Sequence, residues 1–115
     1  MTSVTVERAR WGIARITVSG HAGYADAGED IVCAGVSALI ITCANALQRV
    51  AGVEPVIRSD DQNAVMSVAI AQELPDGQRH DAQIILETTA QGLEDISSSY
   101  PDHLTCTTTD WRASQ

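Results

Sequence analysis

The chain has 115 residues, a length suited to one domain with a single core and too short for two. Apolar residues make up 44% of it, an ordinary globular share that argues against disorder. The formal net charge of −8 argues against a phosphate-backbone partner, so no direct nucleic-acid contact is expected, and it suits a basic protein or peptide. With no Phe the core must be aliphatic, and with no Lys every positive charge is an Arg.

Val4 and Val6 alternate with polar neighbours, and Trp11 to Ser19 carries Ile13, Ile16 and Val18, so the chain opens as a hairpin of two strands. A glycine-bearing loop follows. Helical spacing then runs from Cys33 to Ala51, with Val36, Leu39, Ile40, Cys43, Leu47 and Val50 on one stripe. Gly52 and Pro55 stop that helix. Val56–Ser59 and Ala64–Ala71 are the next strands, joined by turn residues at 60–63. Residues 74–78, with Pro75, Asp76 and Gly77, read as a loop. A second helix is predicted from Asp81 to Ser99, with Leu86, Ala90, Leu93 and Ile96 inward, and a Thr-rich strand from His103 to Thr109. The tail from Asp110 is expected to fray. The order β-β-α-β-β-α-β predicts an α+β domain, a mostly antiparallel or mixed sheet covered by two helices.

The stretch Ser19 to Ser37 carries the chemistry-bearing residues. It sets His21 at the exit of an apolar strand and Cys33 where the helix is predicted to begin. A cysteine is a good nucleophile as a thiolate, and an imidazolium or a helix N-terminus favours that form. His21 and Cys33 therefore read as a base and nucleophile pair, the imidazole taking the thiol proton and later protonating the leaving amine. Backbone N–H groups of Cys33 and its neighbours, Ala34 included, are the predicted donors to an oxyanion. Gly20, Gly23 and Gly28 let the loop bend and a substrate backbone approach. Asp30 either orients the imidazole or caps the helix. Ser37, one turn after Cys33, either bonds into the site or back-bonds to a helix carbonyl.

The segment GHAGYADAGEDIVCAGVS resembles the signature of the ribosomal-processing cysteine protease (Prp) family. The shared elements are Gly20, His21 and Ala22, then Gly28 and Asp30, then Ile31, Val32 and Cys33, with Ser37 four residues on. The element order and the Tyr100-Pro101 exit from the second helix also agree, so the resemblance spans essentially the whole chain. It implies a cysteine endopeptidase with a His21–Cys33 dyad assisted by Asp30, without a cofactor. It further implies a homodimer with a mobile loop over the site. The implied substrate is a bacterial large-subunit ribosomal protein bearing a short N-terminal extension; phage-associated relatives cut capsid or scaffold proteins.

Two other readings compete. His21, Cys33, His103 and Cys106 are metal-ligand types, but residues i and i+3 of a strand face opposite ways and no Cys-x-x-Cys pair is present, so no metal is expected. His80 reads as a surface residue. A non-catalytic dimeric module that binds ribosomal protein or pre-ribosomal particles is the second alternative, because fold alone does not establish catalysis. The apolar stretches read as too short to span a bilayer, and MTSVTVERARWG lacks the features of a secretion signal. A cytoplasmic protein with free thiols and no membrane partner is the expectation.

Overall fold

The computed structural model describes residues 1–20 and 27–112, and of residues 27–30 the backbone alone. Strands β1 (Thr2–Ala9) and β2 (Gly12–Ser19) form the expected antiparallel hairpin, with Val4 opposite Val18 and Val6 opposite Ile16. Helix α1 (Ala27–Arg49) leads to β3 (Val56–Asp60) and β4 (Val65–Ala69), then to α2 (Asp76–Ser99) and β5 (Leu104–Asp110). The five strands make one sheet in the order β3-β4-β2-β1-β5. Among the described residues only the β1–β5 pair is parallel, so the sheet is mixed and the class is α+β, as predicted.

Cross-strand partners share a face, so the period of two assigns each strand an inner row. Thr2, Val4 and Val6 of β1 are buried, in line with Ile16 of β2, Val68 of β4 and Leu104 of β5. Val32, Val36, Ile40 and Leu47 of α1, with Leu86 and Leu93 of α2, complete that core. A fully buried Leu of this kind contributes about 1.5–3 kcal/mol. The opposite row carries Ser3, Thr5, Thr17 and Thr105, and a Glu7–Arg15 ion pair at 2.6 Å. One face is thus aliphatic and the other polar.

The far end of the hairpin is tied down by side chains. Gln83 of α2 accepts from the Ile13 N–H at 2.7 Å and donates to the Ile13 carbonyl at 2.9 Å. Arg8 of β1 makes a bidentate pair with Glu87 of α2 at 2.8 and 2.9 Å. Trp11 meets Trp111 edge-on, with ring centroids 5.6 Å apart, and the Arg79 guanidinium lies 4.6 Å from the centroid of the Trp11 ring. The Trp111 N–H also donates to the Arg8 carbonyl at 2.9 Å. Trp111 is therefore anchored, where the chain was expected to fray from Asp110; residues 113–115 lie outside the described residues.

Other boundaries also differ from expectation. Helix α1 begins at Ala27, so Cys33 lies in its second turn, not its first, and Asp30 is a helical residue, not a cap. The helix ends at Arg49, before the predicted Ala51, and Val50 is 76% exposed instead of inward. Gly52, with φ of 68°, follows it in the left-handed conformation that a helix-terminating glycine adopts. Helix α2 starts at Asp76 because Pro75 occupies the cap position, where its missing N–H costs nothing, and Asp76 sets an acid in the first turn. The residues read as a loop are thus largely a helix start. The stretch Ile31–Arg49 has a mean hydropathy of 1.8 and is long enough to cross a membrane, contrary to the reading of short apolar runs. Gly35, Ser37, Thr42 and Asn45 interrupt the apolar run without adding charge, and one face of this helix packs into the domain core.

Candidate active site

Helix α1 and the head of β1 meet at Cys33. The sulfur is partly exposed on α1, and Thr2, at the head of β1, places its hydroxyl oxygen 3.4 Å from it, in a hydrogen bond where either atom can donate. Thr2 is only 1% exposed, and its N–H donates to the His103 carbonyl at 3.0 Å just before β5. Gly20 leaves β2 with φ of 85°, and its N–H donates to the Ala64 carbonyl at 3.0 Å. A Cβ at Gly20 would lie 2.5 Å from the Met1 carbonyl oxygen, so only glycine fits this strand exit.

Beside these residues lies a cleft of about 330 Å³. Val18 of β2 and Gly20 just after it line the cleft, with Ser37 and Ile40 from α1, and Asp60, Asp61 and Val65 from β3, β4 and the turn between them. Asn63 donates to both carboxylate oxygens of Asp60, at 3.2 Å from its N–H and 2.6 Å from its side chain, and these bonds hold the Asp60 pKa below its ordinary value. The cleft thus has an apolar floor and an anionic rim.

The three thiols differ in environment. Cys43, on the same helix, is buried, and desolvation raises its pKa above the ordinary thiol value despite a hydrogen bond with Thr89. Cys106 on β5 donates to the Leu93 carbonyl at 3.6 Å; burial, then the charge of Glu94, raise its pKa, against a lowering hydrogen bond from Ser97. A raised pKa keeps a sulfur as the unreactive thiol near neutral pH.

The second-turn position of Cys33 changes the predicted chemistry. It lies about 9 Å along the axis from the start of α1, at a rise of 1.5 Å per residue, and the field of a helix end falls off within the first turn. The N–H groups of Cys33 and Ala34 are inside the helix and bond to carbonyls four residues back. They are therefore not the oxyanion donors the sequence suggested. Ala34 and Ser37 are exposed, and Ser37 lines the cleft. Gly28 and Asp30 belong to the first turn of α1, while His21 and Gly23 lie outside the described residues. Among the described residues, no three His, Cys, Asp or Glu side chains gather as a metal site. Thr2 was missed by sequence reasoning, although it is in phase with Val4 and Val6 and so stands as a polar residue in an inward row.

Residues 1–105 match the family described as cysteine protease Prp. The chain belongs to that family. A ribosomal processing cysteine protease Prp of Bacillus subtilis (strain 168) is 33% identical over 109 residues, which cover 94% of this chain and 97% of that protein. A Staphylococcus aureus Prp, solved in complex with a substrate peptide, superposes with a TM-score of 0.83 at 26% identity, over 95% of this chain and 100% of that one. A Streptococcus mutans protein shares the fold, with a TM-score of 0.86 at 24% identity and 96% of both chains covered. Membership of the Prp family makes this a cysteine protease, as expected, in preference to the alternative of a non-catalytic binding module.

Proposed function

We propose that the protein is an endopeptidase that removes an N-terminal extension from a bacterial large-subunit ribosomal protein, with Cys33 as nucleophile and His21 as general base and acid. The observation that carries this reading is the contrast among the thiols: Cys33 is partly exposed one turn from a cleft, whereas burial raises the pKa of Cys43 and Cys106. His21 follows Gly20 directly in the chain, and Gly20 lines the same cleft.

In the first half-reaction His21 takes the Cys33 proton and the sulfur bonds to the scissile carbonyl carbon. The tetrahedral intermediate then expels the amine, which receives that proton from the imidazolium, and an acyl thioester remains. In the second half-reaction His21 deprotonates water, the hydroxide attacks the thioester, and the carboxylate product leaves as the thiol is restored. The oxyanion donors come from outside Ile31–Ala34, whose N–H groups are committed to the helix. Asp30 is assigned to assist His21.

The anionic rim at Asp60 and Asp61 supports a basic substrate, and ribosomal proteins are basic. We further assign the protein to the cytoplasm, where ribosomal proteins are made, and infer a homodimer, which light scattering of the purified protein tests. The central experiment incubates the enzyme with its host's ribosomal proteins and reads new N-termini by mass spectrometry. One new terminus, dependent on both Cys33 and His21, is expected. Cleavage that survives Cys33→Ala overturns the assignment of the nucleophile.

A further inference from the structure

We propose that Thr2 is a positioning residue for the reactive sulfur: its buried hydroxyl donates a hydrogen bond to the Cys33 thiolate and so favours the ionised form. This rests on the reading of Cys33 as nucleophile. The oxygen and sulfur are 3.4 Å apart, in contact before any substrate is bound. Toward a thiol the hydroxyl either donates or accepts; toward a thiolate it can only donate. The bond in the ionised state is charge-assisted and roughly twice as strong as a neutral one. That difference between protonation states is what moves an ionisation equilibrium.

The hydroxyl is held ready by the strand that carries it. Thr2 is 1% exposed, its N–H is bonded to the His103 carbonyl, and it pairs with Leu104 of β5 at the head of a strand that has neighbours on both sides. Threonine is β-branched and stiff about its first side-chain torsion, so little reorientation is needed when charge appears on the sulfur. Such a donor matters here because Cys33, in the second turn, is beyond the strong part of the helix-end field. The contact also joins β1 to α1, two elements 31 residues apart in the chain at this point. Relaxation of the strand head therefore moves the donor away from the sulfur.

Among the described residues, the titratable groups nearest Thr2 along β1 and its β5 partner segment are the Met1 amino group, Tyr100, Asp102, His103 and Cys106. All remain in place in the test variants. Iodoacetamide labelling of Cys33 is followed peptide by peptide from pH 5 to 10 in the wild type, Thr2→Val, Thr2→Ala and Thr2→Ser. Val keeps the volume and removes the hydroxyl; Ser keeps the hydroxyl; Ala supplies a second hydroxyl-free variant should Val fold poorly. The expected result is a Cys33 midpoint raised by about one pH unit in Val or Ala, a tenfold loss of labelling rate below the midpoint. The rate constant of the fully ionised sulfur stays within about twofold, and Ser restores the wild-type midpoint. An unchanged midpoint in the hydroxyl-free variants overturns the proposal, and so does a Ser variant that behaves like Val. Because labelling needs no substrate, this outcome is separate from the cleavage test of Cys33→Ala, whose failure strikes the nucleophile assignment instead.

Discussion

The two ends of the β1–β2 hairpin are built for different tasks. The turn end is tied by Gln83 to Ile13, by Arg8 to Glu87, and by Trp11 to Trp111 and Arg79. The open end brings Thr2 to Cys33 and Gly20 to the cleft, with Gly20 in a conformation other residues rarely adopt. Aromatic area and paired hydrogen bonds concentrate where nothing reacts, and a polar contact to sulfur appears where chemistry is expected. The comparison teaches that one hairpin carries stability at one end and presents reactive groups at the other.

The sharpest way to break this division is at the open end. Cys33→Ala should lower the cleavage rate by on the order of 10⁴ or more, with a melting temperature close to wild type. Turn-end variants should do the reverse. Trp11→Ala is expected to cost about 2–3 kcal/mol in denaturant unfolding, since it removes the Trp111 packing and the Arg79 cation contact together. Gln83→Ala should cost about 1–3 kcal/mol, because it strips both partners from the Ile13 backbone. Both should leave the labelling profile of Cys33 unchanged, and a shifted profile would mean that the ends are coupled.

A smaller effect separates the thiols. Near pH 7.5, iodoacetamide should label Cys33 at least about tenfold faster than Cys106 or Cys43, as peptide mass spectrometry reads it. The smallest effect is in stability against pH. The pKa of Cys43 is raised above 9.0 in the fold, so its contribution is fully present below that value. Above it the unfolded chain ionises first, and the contribution is lost as pH rises through the folded value. Cys43→Ala should therefore partly flatten the alkaline loss of stability, and Cys106, shifted the same way, adds to that loss.

The element order was legible because apolar periodicity dominates β1, β2, the body of α1 and the body of α2. Its failures lie where periodicity stops. The start of α1 was hidden by Gly28 and the acids Glu29 and Asp30, which read as loop, and Pro75-Asp76-Gly77 hid the start of α2. Trp111 could not be placed by local reasoning, because its partner Trp11 is a hundred residues away in the chain. The site was legible as residue types in one segment, Cys33 and Ser37 among them, and Ser37 does line the cleft. Thr2 was not, since its place beside Cys33 depends on how β1 packs against α1. The helix-mouth account of thiol activation failed for a boundary reason: the helix had already begun at Ala27.

Strand β3 has one further consequence. Among the described residues it hydrogen-bonds only to β4, which leaves its other side an edge, and all of its residues are exposed, Val56 and Ile57 among them. Open edges of this kind invite pairing with another chain, and charged side chains are a common guard against it. Arg58 and Asp60 stand on that strand as gatekeepers. Replacing Arg58 with valine would remove one of those guards and lengthen the apolar border that a second copy of the chain could pair with.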